Sequence, residues 1–268
     1  MLSDLMSVAS RFGLEVHESK TQNIWNGQGL ASELAKVKIR GRLFNVLGPA
    51  SSTMYLGRLF SFEQTHDREI KNRITKAWAK FAVFRSELTD RHYNLAKRLK
   101  LFQSTVQPTL LYGCACWTMT RDRESKIRTV QRKMLRAIIG TKRIAGKQGL
   151  ETWVEWVVRS TRIAEQTMVD LGVPDWVEEV HRRRFRWAGR TSRVSDDRWT
   201  KEVLQWSATG ARKRGRPRCR WADQLNKFFK QGLQATNEFW LELAQEKQSW
   251  DTLEGDYVNF VLGRLSEA

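Results

Sequence analysis

The 268-residue sequence predicts a mainly α-helical protein with a small β-hairpin near its N-terminus. Three observations carry this. From residue 67 onward, apolar residues recur at three- and four-residue steps, the period of an amphipathic helix. One short stretch, 36–60, instead alternates charged and apolar residues around a Gly-Pro turn. A hydrophobic content of 41%, with twelve Trp and twelve Phe, supplies enough apolar surface for a real core and argues against wholesale disorder.

Taken in order, residues 1–13 read as a helix carrying Leu2, Leu5, Met6, Val8, Ala9 and Phe12 and ended by Gly13. Residues 13–21 form a short extended piece that closes in a polar turn. Residues 36–46 alternate as a half-buried strand, 48–53 form the turn, and 54–60 return as its partner. The first long helix carries Ile70, Ile74, Ala77, Trp78, Phe81 and Phe84. A second covers 93–106 and stops at Pro108, because proline removes a backbone donor and crowds the preceding turn. A third starts near Thr109 or after the 118–120 turn, and carries Ile127, Val130, Met134, Leu135, Ile138 and Ile139 to Gly140. Further helices are expected at 150–170, 175–189, 197–207, 219–233, 237–247 and 249–264. Gly-rich basic linkers fall at 140–149 and 207–217. The organisation is therefore 1–65 with the hairpin, 66–140 helical, and 150–268 helical and basic.

The charge is strongly uneven. Formal net charge is +18, and between residues 182 and 220 fourteen Lys or Arg face three Asp or Glu, so most of the excess sits in that window. Such concentration points to a polyanionic partner. No apolar run approaches the roughly 20 residues of a membrane span, and the acidic N-terminus lacks a signal-peptide layout. Nucleic acid is the preferred partner, and a nuclear or nucleocytoplasmic location is expected. Cys114, Cys116 and Cys219 are too few and too tightly or widely spaced for a disulfide framework or a zinc site, and His17, His66, His92 and His181 are scattered. No metal ligand is assigned.

Two clusters are candidate contact residues. Arg212, Lys213, Arg214, Arg216, Arg218 and Arg220 lie on a segment that Gly215 and Pro217 keep extended. Three readings stand: a minor-groove hook around Arg214-Gly215-Arg216-Pro217, a tail gripping phosphates, or an import signal or solvated linker. The second cluster, Arg182, Arg183, Arg186 and Arg190, shares one helix face. Phe185 and Ala188 share the other, which places aromatics in a core behind a basic surface. Tyr55, Lys71 and Arg73 are candidate primer contacts, the last two on a helix face with Lys76 and Lys80. The Trp residues from 153 onward accompany apolar residues at helical spacing and are expected in the core.

Several of these pieces together resemble one family. The opening helix, Gly13-Leu14 and Ser19-Lys20-Thr21 are similar to the end of the palm in non-LTR retrotransposon reverse transcriptases, and Tyr55-Leu56-Gly57 to the following strand at the palm–thumb junction. Glu69-Ile70-Lys71-Asn72-Arg73-Ile74 with the run to Phe84, and Leu110-Leu111-Tyr112-Gly113-Cys114-Ala115-Cys116-Trp117, are similar to thumb helices. Arg183-Arg184-Phe185-Arg186-Trp187-Ala188-Gly189 and Gly215-Arg216-Pro217-Arg218-Cys219-Arg220-Trp221-Ala222-Asp223 resemble the basic C-terminal tail. The match runs in order from about residue 1 to about 225. Each motif is weak alone; six at sensible spacing are not.

The resemblance implies a palm-edge remnant at 1–65, a thumb-like region at 66–140 and a basic tail beyond 150. It also implies that the catalytic aspartates lie upstream of the opening helix. The sole adjacent pair in this chain, Asp196-Asp197, sits between Arg193 and Arg198 without flanking strand residues and reads as a helix cap. No catalytic residue is assigned. The chain is expected not to polymerise alone, and magnesium is expected only with a complete polymerase, with a palm supplied by another chain. The expected partners are RNA, DNA or an RNA–DNA hybrid. The alternatives are a free-standing DNA- or RNA-binding chromatin protein with an AT-hook-like segment, and a decayed relic.

Overall fold

A computed structural model describes residues 2–25, 36–146, 149–196, 199–205, 219–232 and 239–264. The chain divides into two compact units, residues 1–72 and 73–268. Unit 2 is built mainly of helices, whereas unit 1 sets small sheets of two or three strands beside helices. Among the described residues no helix is long and apolar enough to cross a membrane.

Unit 1 opens with helix α1 (Leu2–Arg11). A three-stranded sheet follows in the order β1 (Gln22–Ile24), β3 (Arg42–Leu47), β2 (Lys36–Ile39), with β1 parallel and β2 antiparallel to β3. A separate hairpin joins β4 (Thr53–Tyr55) to β5 (Arg58–Phe60). The expected single hairpin of 36–46 against 54–60 is thus replaced by two tight ones. The cause is local: Arg40 and Gly41 have φ of 48° and 81°, and Leu56 and Gly57 have 47° and 77°. Two successive positive φ values make a turn whose twist suits a two-residue hairpin, and glycine adopts the second without penalty. Each run therefore folds back on itself. Helix α2 (Thr65–Val83) begins in this unit, and its fully buried Glu69 accepts from the Leu59 backbone N–H at 2.7 Å, tying β5 to the helix.

Unit 2 continues α2 and adds α3 (Arg85–Thr89), α4 (Leu95–Leu111) and α5 (Arg121–Ile139). Helix α4 runs one turn past its expected end, with Pro108 inside it. The lost backbone bond is outweighed because that last turn buries Leu110 and Leu111 completely or nearly so. Helix α5 starts after the 118–120 turn: Thr120 Oγ1 accepts from Arg123 N, and Ile127, Met134, Leu135 and Ile138 face the core. Arg98, from α4, is buried and donates to the carbonyls of Ile138 (2.6 Å) and Leu88 (3.2 Å), closing the end of α5. Within the predicted 140–149 linker lie β6 (Ala145–Gly146) and the first residue of β7 (Gly149–Leu150), which pair.

Helix α6 (Trp153–Asp170) carries a Thr152–Glu155 capping box. Helix α7 (Trp176–Ser192) is the spine of unit 2. Its start is pinned by Gln131, which accepts from Trp176 N at 2.9 Å and donates to Pro174 O at 2.8 Å. Its first half places Trp176 against Phe102, ring centroids 5.4 Å apart. Its second half enters an aromatic core of Phe185, Phe228, Phe229, Trp240, Trp250 and Tyr257. Phe185 stacks on Trp250 at 4.2 Å, and Trp250 Nε1 donates to the Phe185 carbonyl at 3.1 Å. This packing needs Gly189: a Cβ there would lie 2.6 Å from Trp250 Cδ1.

The C-terminal part of the chain is a series of short helical pieces among the described residues. They are α8 (Trp199–Gln205), α9 (Asp223–Lys227) running into a wider turn over Phe228–Gly232, α10 (Phe239–Leu243), α11 (Lys247–Thr252) and α12 (Glu254–Val261). The expected 249–264 helix breaks at Leu253, which is both the end of α11 and the cap of α12.

Candidate nucleic-acid interface

The interface is built on α7. Asp175 caps the helix, accepting from Val177 N at 2.7 Å and Glu178 N at 3.2 Å, and its carboxylate suits the positive end of the helix dipole. One stripe of the helix is buried: Val177, Val180, His181, Arg184, Phe185 and Ala188. The opposite stripe carries Arg182, Arg183, Arg186 and Arg190, the first two half-buried and the last two exposed. The arrangement of core aromatics behind a basic face is the one read from helical spacing.

These arginines are not equally available. Arg186 donates to both carboxylate oxygens of Glu254, at 2.5 and 2.8 Å, and this pairing raises its pKa above the ordinary guanidinium value. Arg182 reaches the same Glu254 at 3.2 Å, and Arg183 pairs with Glu179 at 2.6 Å one turn back. Arg190 is exposed and has no ion-pair partner among the described residues. Arg186 and Arg190 line a groove with Arg193 and Lys247, which Asp251 and Glu254 also border. Four cations against two carboxylates leave the groove net positive, and partly exposed pairs of this kind are weak enough for a phosphate to displace them.

Arg184, which the sequence groups with the basic cluster, is instead buried and structural. It is 1% exposed. It donates to Trp221 O at 2.8 Å and to Gln224 Oε1, approaches His181 Nδ1 at 3.4 Å, and lies 5.4 Å from the centre of the Trp221 ring. His181 Nε2 in turn meets Glu124 Oε1 at 3.0 Å. Trp221 Nε1 donates to Ala115 O at 2.7 Å, in the turn that follows α4. This buried chain fastens the residues just after the arginine-rich segment to the side of α7. Arg220 is exposed beside it, its backbone N–H held by Asp223 at 2.7 Å. Arg212, Lys213, Arg214, Arg216 and Arg218 lie outside the described residues.

Of the N-terminal candidates, Tyr55 is 69% exposed at the end of β4, and Lys71 is exposed on α2. Arg73 departs from the solvent face expected of it. It is 5% exposed, with its guanidinium 4.5 Å from the centre of the Tyr112 ring, a cation–π seat that removes it from a basic surface. The tryptophans also divide. Trp176, Trp240 and Trp250 are core as expected, whereas Trp153 and Trp199 are 64% and 83% exposed. Asp196 is exposed ahead of α8, and Asp197 lies outside the described residues. Among the described residues no three His, Cys, Asp or Glu side chains are grouped to hold a metal ion.

The chain is similar to an uncharacterized transposon-derived protein of Caenorhabditis elegans, 27% identical over 263 residues that cover 93% of this chain and 86% of that relative. The similarity supports a transposon origin. No protein-family model matches the chain, and no solved structure matches it.

Proposed function

We propose that this chain is the nucleic-acid-gripping thumb and basic tail of a non-LTR retrotransposon reverse transcriptase. The observation that carries the reading is the arginine stripe on α7, exposed at Arg186 and Arg190, backed by a buried aromatic core and set beside the anchored Trp221. A rigid helix presenting cations at fixed spacing positions a phosphate backbone without reading base sequence. The partners of this reading are RNA, DNA or an RNA–DNA hybrid, and its location is nuclear or nucleocytoplasmic. The transposon-derived relative agrees with such an origin.

Polymerisation is assigned elsewhere. The described residues offer no carboxylate set that fits two catalytic metal ions, so no step of nucleotidyl transfer is derived for them. The reading assigns the palm to none of the described residues. Unit 1 offers a surface for a further domain or partner: α1 buries none of its residues, and Leu5, Phe12, Leu14 and Leu56 are 56, 75, 64 and 75% exposed. A surface this apolar suits a protein partner.

The test is binding of the purified full chain to a primed RNA–DNA hybrid, A·T-rich duplex, G·C-rich duplex and single-stranded DNA between 50 and 200 mM salt. Preference for the hybrid, weakened in an Arg186→Gln, Arg190→Gln variant, is expected. Absence of binding to all four would sink the reading.

A further inference from the structure

A second cationic feature of unit 2 lies away from the predicted arginine stripe. Arg121, Arg128 and Arg132 of α5 line one cleft with Lys227 of α9, and Phe260 and Leu262 at the end of α12 contribute its apolar lining. Along a helix, positions 121, 128 and 132 are about 10.5 and 6 Å apart and recur on one face. Glu124, the one carboxylate lining the cleft among the described residues, meets His181 at 3.0 Å. Arg128 pairs with Asp175 at 3.5 Å and Arg132 with Glu165 at 2.5 Å. Each guanidinium keeps further donors, since a carboxylate uses at most two of its five N–H groups. Arg121 and Lys227 are exposed and have no ion-pair partner among the described residues.

The remaining lining sets the kind of anion. Gln224 and Gln231 add amide groups, although Gln224 Oε1 is already occupied by Arg184. Phe260 is half-buried, its ring tilted against Phe228 at 5.5 Å, so it is held in place by the aromatic core. A row of cations beside a fixed aromatic ring matches a strand that carries phosphates and offers a free base face. Duplex nucleic acid presents the phosphates but keeps its base faces stacked inside.

We infer that this cleft is a second nucleic-acid site, taking an unpaired stretch of single-stranded nucleic acid with phosphates on Arg121, Arg128, Arg132 and Lys227 and a base against Phe260. The inference rests on the nucleic-acid reading of the chain and adds to it a distinct surface and substrate form.

The experiment compares the full chain with Arg121→Gln/Lys227→Gln and Phe260→Leu variants, titrating salt against a single-stranded oligonucleotide and a blunt duplex. Neither Arg121 nor Lys227 supports the core, so the double variant keeps the fold. The expected result is weaker single-strand binding with a salt slope shallower by about 1.4, two contacts at roughly 0.7 each, while duplex binding is unchanged. Phe260→Leu weakens single-strand binding without changing the slope. Single-strand binding that both variants leave intact, or equal losses on single strand and duplex, overturns this site while sparing the α7 interface. A wild-type chain that binds neither form overturns both.

Discussion

Glu254 holds the Arg186 guanidinium in a two-point contact across 68 residues of sequence, and receives Arg182 on the same carboxylate. One acidic residue at the start of α12 therefore restrains two of the four cations on the α7 stripe. Removing its charge frees Arg186 for phosphate and loosens Arg182, which keeps a longer contact of 4.0 Å to Glu178. Glu254→Gln is expected to tighten binding to an RNA–DNA hybrid a few-fold at low salt, in keeping with partly exposed pairs worth about 1 kcal/mol or less. A fluorescence-anisotropy titration of the variant checks this; unchanged or weaker binding would mean that the stripe does not meet nucleic acid.

The approach of Gly189 to Trp250 makes a stability prediction independent of function. Gly189→Ala adds one carbon where none fits, and the indole it strikes is stacked on Phe185 and buried. Overpacking of this kind costs about 1–3 kcal/mol. The urea midpoint of the variant is expected to fall accordingly, and a midpoint equal to wild type would refute the packing.

His181 sets a pH dependence. Burial pushes its pKa below the ordinary imidazole value; the Glu124 hydrogen bond opposes this and nearby Arg184 adds to it. A histidine held neutral in the fold contributes stability above its unfolded pKa of about 6.5, and loses it as pH falls through the lower folded value. The urea midpoint is therefore expected to drop between pH 7 and pH 5 in wild type, and by less in His181→Gln. Identical pH profiles for the two proteins would contradict this account of the cluster.

The three thiols are expected to react unequally. Cys114 is buried, and burial pushes its pKa up to about 12, whereas Cys116 and Cys219 are exposed. Burial also raises the Cys219 pKa, with Asp223 adding to it. The thiolate is the reactive form. Alkylation of the native chain at pH 8, read by peptide mass spectrometry, should mark positions 116 and 219, and position 114 only after unfolding. Native labelling of Cys114 would show that the turn after α4 is open.

Much of the helical fold was legible because its signals are local. Thr120 and Gly140 bracket α5, and the apolar stripe between them has one period. The errors have local causes as well. Pro108 signals a stop, but local propensity yields to the burial of Leu110 and Leu111. The two-residue turns at Arg40-Gly41 and Leu56-Gly57 carry a weaker sequence signal than the Gly-Pro pair at 48–49, yet they set the hairpins.

The interface was half legible. Helical spacing separates Arg182, Arg183, Arg186 and Arg190 from Phe185 and Ala188, and the structure keeps that division. Arg184 also left a trace: positions 177, 181, 184 and 188 follow a core period, so an arginine among them must be buried and needs partners. Which partners it takes was not readable, because Trp221 and Gln224 lie 37 and 40 residues away. Nor was Glu254 visible as the brake on Arg186, since only the fold brings α12 beside α7.

The most direct test of the central claim is the salt dependence of hybrid binding by wild type and by Arg186→Gln/Arg190→Gln. The account predicts that log affinity falls linearly with log salt, and that the variant's slope is shallower by about 1.8, two phosphate contacts at roughly 0.9 each on a B-form scale. A wild-type affinity unaffected by salt, or a slope that the variant leaves unchanged, would contradict it.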